Sequence, residues 1–437
     1  MRRKTFAWLA GGALALAAVG CNDFLTGEGV DKTPNAATKL DDAGPLYVSL
    51  QAGASVIFES AIARTAAMYV QQVSGINRQQ QGFDFYNTGA GDIDPSWIQV
   101  FGAGGASDAR RIQEIARAQH DSLYVGIAKV WEAMIVGEAA SVFGDIPYSQ
   151  AFDSDKYPKP VFDEQMQVYA EVQTQLDSAI NVFLAAAPAQ GSGSSNQGPN
   201  GFLPRGSRRN FEITFLDRST PTDLRDAYLA VAHTLKARFY MHTAEVDPSA
   251  YAKALLETAK GINDPSGDML LFHAVSPSGS NNVWVQFQQT RTDLGPGAAL
   301  VNLMTKRIEA GTDTPDRFDY YFYSFDDAPD PCRPFTSCEG FRPGANVVLP
   351  GGGGTVDFNW MNNNAETRQP IVTFAENKLI AAEAAFHAGG QAAAQSYLDA
   401  VRARQNYGDT TFVAQTPIPA TLQNIMEEKY IDLYLNI

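Results

Sequence analysis

Three stretches set aromatic rings beside amides and charged side chains. That combination can recognise a sugar: the ring covers the apolar face of a pyranose, and the polar groups exchange hydrogen bonds with its hydroxyls. The first is "QGFDFYNTGAGDID", with Phe83, Phe85, Tyr86, Asn87, Asp92 and Asp94. The second is "SNNVWVQFQQTR", with Asn281, Asn282, Trp284, Gln286 and Arg291. The third is "FNWMNNN", where Trp360 stands among Asn359, Asn362, Asn363 and Asn364. All three have the composition of loops, where binding residues concentrate. Trp360 has few apolar neighbours and leads the predicted ligand-binding set; Trp284 is second. Tyr86, Phe83, Asn87, Asn359, Asn362 and Arg291 complete it. Each ring has a competing role, pinning its own loop onto a core. Trp97 and Trp131 fall on helical faces and are assigned to the core.

Catalytic patterns are weak by comparison. The histidines form no HExxH motif, and His233 and His242 do not share one metal-binding face of their helix. No GxSxG appears, and "GGGG", Gly351–Gly354, lacks the Lys-Ser/Thr of a phosphate loop. With 48 acidic residues, chance carboxylate pairs abound, and sequence does not measure the separation that glycoside hydrolysis needs. No catalytic residue and no cofactor is therefore predicted. Asp84, Asp92 and Asp94 keep Ca²⁺ open as an option, although their spacing departs from an EF-hand.

The N-terminus bears on location. Arg2, Arg3 and Lys4 precede an uncharged run, Phe6–Gly20. That run is shorter than the roughly 20 residues of a membrane span and has the layout of a signal peptide. Ala18-Val19-Gly20-Cys21 looks like a bacterial lipobox, in which the cysteine is lipidated and becomes the new N-terminus. Cys21 is thus the predicted anchor of a body tethered through lipid chains. Cys332 and Cys338 sit close together in "PCRPFTSCEG", without the second half of a zinc site or a CxxC spacing. In an oxidising compartment they are expected to form a disulfide closing a short loop.

The 437-residue chain carries a net charge of −15, and losing Arg2, Arg3 and Lys4 would take the mature body to about −18. Such acidity excludes nucleic acid, whose phosphates demand a basic surface, and argues against lying flat on anionic lipid. A hydrophobic content of 45% supports a substantial core.

The elements that must position these residues are mostly helices. Apolar residues recur at helical spacing over Leu46–Val73, Asp108–His120 and Ser122–Phe143, the last with one buried stripe. "FGDIPY" stops that helix, and Asp163 is expected to cap the next. "PAQGSGSSNQGPNG", Pro188–Gly201, reads as a surface loop. Asp223–Glu245 and Pro248–Ile262 form a helix pair, and Ile371–Ala388 with Gln391–Gln405 form another. Each couples a helix to a shorter Ala-rich one, as tetratricopeptide-type pairs do, and Tyr124–Phe183 is a looser third copy. Stacked pairs make a curved scaffold that generally binds. Residues 264–365, rich in Gly, Pro, Asn and aromatics, show little helical period. The predicted organisation is a signal peptide over 1–20 and one domain over 21–437. Its helical scaffold spans about 40–262 and 366–437, around a loop-rich part at about 264–365. The fold class is mainly α, a tetratricopeptide-like scaffold with a loop-rich ligand-binding portion.

A family likeness rests on a series of motifs in order. They are the lipobox followed by Asn22-Asp23-Phe24-Leu25, Trp97, "YVGIAKVWEAMIVGEAASVFGDIPYSQAF" with "VYAEVQTQLDSAI", and "HTLKARFYMHTAE" with "YAKALLETA". "PIVTFAENKLIAAEAAFHAGG" with "AAAQSYLDAVRARQ", and "IMEEKYIDLYLN", complete it. The chain resembles the SusD/RagB family over most of residues 21–437. Family members usually continue beyond a helix like "IMEEKYIDLYLN", so Ile437 is expected to be a fragment end or the mark of a shortened member. The resemblance implies a surface lipoprotein of the cell outer membrane. Such a protein captures an oligosaccharide or polysaccharide and hands it to a SusC-like TonB-dependent transporter, without catalysis. A peptide or other nutrient receptor on the same fold, a surface glycosidase and a helical assembly protein are the rival readings.

Overall fold

The computed structural model describes residues 43–185, 221–275, 281–291, 293–324, 340–343, 356–358, 365–404, 406–407, 410–411 and 414–434. Cys21, Cys332, Cys338, Asn359, Trp360, Asn362 and the stretch 188–201 lie outside the described residues.

The first described segment, Ala43–Tyr69, is long and apolar enough to cross a bilayer by composition. Ser60 divides it into α1 (Ala43–Glu59) and α2 (Ala61–Tyr69). Leu46, Leu50, Ala54, Ile57 and Phe58 of α1 are buried in the main core, so its apolarity serves packing. The chain continues through β1 (Val73–Gly75), α3 (Arg78–Phe83), α4 (Ala90–Phe101), α5 (Ala106–Ala118), α6 (Ser122–Phe143) and α7 (Gln165–Ala185). Then come α8 (Pro221–Met241), α9 (Ser249–Thr258), β2 (Met269–Leu271), α10 (Val283–Arg291), β3 (Leu294–Pro296) and α11 (Ala298–Glu309). The last elements are α12 (Pro315–Tyr321), β4 (Phe322–Ser324), β5 (Val356–Phe358), β6 (Gln369–Val372), α13 (Phe374–Arg402), the short strands β7 (Asn406–Tyr407) and β8 (Thr410–Thr411), and α14 (Leu422–Asp432). The fold is mainly α, and among the described residues the strands join in two-stranded antiparallel pairs: β1 with β3, β2 with β6, β4 with β5 and β7 with β8.

The helices stack in series: α5 on α6, α6 on α7, α7 on α8, α8 on α9, α9 on α13 and α13 on α14. Gly390, at φ 72°, breaks α13 into two halves. Leu379 and Ala382 of the first half pack with Ala394, Leu398 and Val401 of the second. This is the second of the helix pairs the sequence pattern suggested, Ile371–Ala388 with Gln391–Gln405. Asn377 locks it to the preceding pair, donating to Thr258 O (3.0 Å) and Ile262 O (2.9 Å) at the end of α9.

Helix α6 departs from the expected single stripe. Leu123 through Ala128 are buried consecutively, because α5, α7 and α8 cover it on different sides; a helix apolar all round belongs inside. Trp131 is part of this core, and its indole N–H donates to Tyr228 Oη (3.0 Å). Gly126 and Gly137 receive the rings of Phe183 and Phe239.

The cap of α7 also differs. Asp163 turns back instead, accepting from Tyr148 N (2.9 Å), Ser149 N (2.7 Å) and Ser149 Oγ (2.6 Å). The first amide of α7, on Gln165, is satisfied by Asp145 (2.9 Å). The stretch 264–365 is more helical than its composition suggested. In α11, Leu300, Val301 and Met304 are buried, a short apolar face disguised by the Gly and Pro residues on either side.

Asp121 caps α6 by accepting from Tyr124 N (3.1 Å). Its Oδ2 is buried and has no hydrogen-bond partner among the described residues. Burial raises its pKa to about 6 against the opposing pull of the Tyr124 amide. The folded state therefore holds this proton more tightly than the unfolded chain, and stability falls as pH rises from about 4 to about 6. Asp121→Asn keeps an acceptor at the cap and removes the charge. It is expected to match the wild type at pH 4 and exceed it by about 1–2 kcal/mol at pH 8 in urea denaturation.

Candidate functional site

Two of the three aromatic stretches meet in space although some 200 residues separate them in sequence. The pairing of β1 with β3, Ser74 opposite Gly295, draws them together. Ile76 N donates to Asp293 O (2.9 Å). The Arg78 guanidinium reaches Asp293 Oδ1 (3.1 Å) and Arg291 O (3.2 Å). The first residue of the third stretch and the residues just after it lie at the same place. Phe358 is buried in one cluster with Trp284, Phe83 and Leu294. Asn282 donates through its backbone to Ala365 O (3.0 Å) and through its amide to Thr367 O (3.1 Å).

Trp284 and Phe83 are corrected from ligand contacts to core. Trp284 is 0% exposed and Phe83 is buried beside it. The reason is local. "SNN" before Trp284 opens a helix, with the Asn282 side chain accepting from Trp284 N (2.9 Å) and Val285 N (3.2 Å). The asparagine acts as an N-cap, and the inner face of α10 carries Trp284 into the core.

Tyr86 and Asn87 stay outside. Phe85 and Tyr86 are 61% and 60% exposed, and Asn87 is exposed with them. The Tyr86 ring lies 4.7 Å from the Tyr69 ring, and its hydroxyl donates to Tyr69 O (3.2 Å). The Tyr69 hydroxyl in turn bonds Thr88 Oγ1 (2.5 Å). Gln71, Arg78 and Tyr86 all adopt positive φ, at 59°, 49° and 59°. Left-handed backbone is unfavourable for such side chains and collects at ligand sites. Here it turns Phe85 and Tyr86 outward while Phe83 points inward.

The polar surroundings are fixed by their own contacts. Asp92 caps α4, accepting from Gly89 N (2.8 Å) and from Gln79 Nε2 (2.7 Å). Asp84 is buried and accepts from Ser74 Oγ (2.8 Å). Among the described residues no three His, Cys, Asp or Glu side chains gather as a metal-binding group. Arg291 is exposed at the end of α10. Arg64 lies 4.1 Å over the Phe287 ring, and burial, with the like charge of Arg291, pushes its pKa down to about 10. The result is a ledge: an outward tyrosine braced by a second ring, next to an exposed amide. It can stack on a ring and donate hydrogen bonds. Sequence reasoning missed Tyr69, which meets Tyr86 across the segment that holds β1, and Phe287, which is brought near by the β1–β3 pairing.

Comparison with known proteins agrees with this architecture. Residues 35–193 match a family model described as SusD-like, starch-binding associating with outer membrane, and residues 321–436 match that of the SusD family. Among solved structures, a SusD/RagB family protein from Bacteroides thetaiotaomicron is 16% identical, with a TM-score of 0.61 over 90% of this chain and 84% of its own. A SusD-like protein of the same species is 16% identical, with a TM-score of 0.63 over 90% and 83%. A chitin-binding SusD homologue from Flavobacterium johnsoniae is 15% identical, with a TM-score of 0.63 over 90% and 82%. At such identities the likeness to these structures is one of fold. No match was found among curated proteins. With family models matching both its N-terminal and C-terminal parts, the chain belongs to the SusD/RagB family.

Proposed function

We propose that the protein binds an oligosaccharide at the Tyr86 ledge and passes it, unhydrolysed, to a SusC-like TonB-dependent transporter. Lipid on Cys21 holds it at the outer membrane in this reading. The observation that carries the binding step is the exposed Tyr86 ring, fixed by Tyr69 beside Asn87. A mobile exposed ring would lose entropy on stacking; this one is already held, which favours binding. Family membership and the chitin-binding homologue support a glycan as the ligand class and the outer membrane as the location.

Affinity electrophoresis against a panel of polysaccharides tests the reading. The wild type is expected to be retarded by at least one polymer without shortening it. Tyr86→Gly suits the positive φ and so removes the ring without disturbing the backbone. It is expected to weaken retardation about tenfold, the scale of one stacked ring. Retardation unchanged in Tyr86→Gly would remove the ledge from the site. Retardation by no polymer, together with capture of peptides, would move the protein to the rival nutrient class.

A further inference from the structure

A second concavity lies at the other end of α4 from the Tyr86 ledge. It encloses about 900 Å³ between α4, α5 and residues 147–160. Trp97, Phe101 and Phe152 line it, and Phe162 lies beside Trp97 just outside the lining. Phe162 stacks near-parallel on Trp97 at 6.0 Å, Trp97 lies 4.9 Å from Phe101, and Phe101 lies 6.1 Å from Phe152. These rings are only partly covered: Phe162 is 63% exposed, and Trp97, Phe101 and Phe152 are half-buried, with one side packed on the main core. The sequence pattern assigned Trp97 to the core; the ring does pack on the main core, and its uncovered side forms part of the cleft wall. Contiguous uncovered aromatic surface marks a contact site.

Two further features show that the rings are held in place. Phe152 has φ 70°, a conformation that bulky residues rarely adopt. The Arg110 guanidinium lies between the Phe152 ring (4.4 Å) and the Tyr148 ring (4.9 Å). Its Nε donates to the buried Glu132 (2.7 Å), so the arginine fixes Phe152 while its charge is balanced. On the rim, Arg111 pairs with Glu114 (2.7 Å). Both cations of the cleft are thus matched by carboxylates, and Ser149, Gln150 and Asp153 add hydrogen-bonding groups.

We propose that this cleft is a second saccharide site, taking an uncharged oligosaccharide several rings long. Partly exposed rings beside hydroxyl, amide and carboxylate groups suit a stacked sugar chain. With both arginines matched by carboxylates the cleft has no pull on an anion, while Ser149, Gln150 and the Asp153 carboxylate offer partners to hydroxyls. The proposal shares its ligand class with the ledge reading and uses different residues, so each can fail alone.

The test follows the tryptophans by ¹⁹F NMR in the full chain labelled with 5-fluorotryptophan, the Trp97 signal being assigned with Trp97→Phe. Chitohexaose and maltohexaose are the probes. The Trp97 signal is expected to shift saturably with one of them, in the wild type and in Tyr86→Gly alike. Phe152→Gly, which relieves the positive φ, is expected to weaken that response about three- to tenfold. A Trp97 signal unmoved by both sugars overturns the proposal, as does a response to a proline-rich peptide but to neither sugar. Loss of the response in Tyr86→Gly would also overturn it, since the cleft would not act independently. A Trp97 response with overall binding unchanged by Tyr86→Gly would uphold this site and reject the ledge.

Discussion

Glu428→Ala is expected to destabilise the protein by about 3–5 kcal/mol, as loss of one partner in a buried ion cluster does. Glu428 of α14 is fully buried and accepts from Arg307 of α11 (2.6 Å), Arg317 of α12 (2.7 Å) and Arg402 of α13 (2.5 Å). One carboxylate therefore ties four helices. Asp313 and Asp432 would still hold Arg317, but among the described residues Arg402 has no other carboxylate and would keep only carbonyl partners such as Thr416 O (2.9 Å). A buried guanidinium without a counter-charge is the main cost. Burial by itself would raise the Glu428 pKa; the charges of Arg317, Arg307 and Arg402 outweigh it and hold the pKa down to about 2. The unfolded value is about 4.3, so the stabilisation is complete above that pH and is lost as pH falls toward 2. Urea denaturation followed by circular dichroism should show a large gap between wild type and Glu428→Gln at pH 7, narrowing steadily below pH 4. A gap of equal size at both ends would mean that the charge is not what binds the helices.

Gly137→Ala should destabilise by about 2–3 kcal/mol, although helix propensity alone favours alanine by about 1 kcal/mol. Gly137 sits inside α6 where Phe239 of α8 packs against it. A Cβ there would stand 2.2 Å from Phe239 Cζ and 2.5 Å from Cε1. Phe239 is itself buried and lies 6.0 Å from the Tyr169 ring, so it has little room to retreat. Sterics win over propensity because the clash is with a ring held on several sides. Gly91→Ala in α4 is the matched control: nothing lies within 4 Å of its Cβ position, and propensity predicts a gain of about 0.5–1 kcal/mol. Thermal melts of the two variants should move in opposite directions. A stabilised Gly137→Ala would show that α6 and α8 can separate at small cost.

The helix pairs were legible in the sequence because helical periodicity is a local signal, and α6, α8 and α13 each show it over several turns. The same reasoning failed on α11, whose short apolar face lies between glycines. It also misjudged the depth of individual rings. Trp284 looked like a loop residue because Asn281 and Asn282 precede it, yet Asn282 caps a helix that buries the ring. Trp97 looked like core because it sits at helical spacing with Phe101, and it does pack on the core with one side while the other lines a cleft. Tyr86 was found correctly as an exposed aromatic, but its brace, Tyr69, gave no sign in the sequence.

The sequence by itself determined the class of the scaffold, the acidic character of the body and the segments rich in rings and amides. These depend on composition and on spacing within one element. Tertiary structure alone decided which rings meet solvent and which segments converge. Burial is a property of partners brought together by long-range pairings, such as β1 with β3 and Arg307, Arg317 and Arg402 on Glu428, and no window of sequence contains both sides of such a pair.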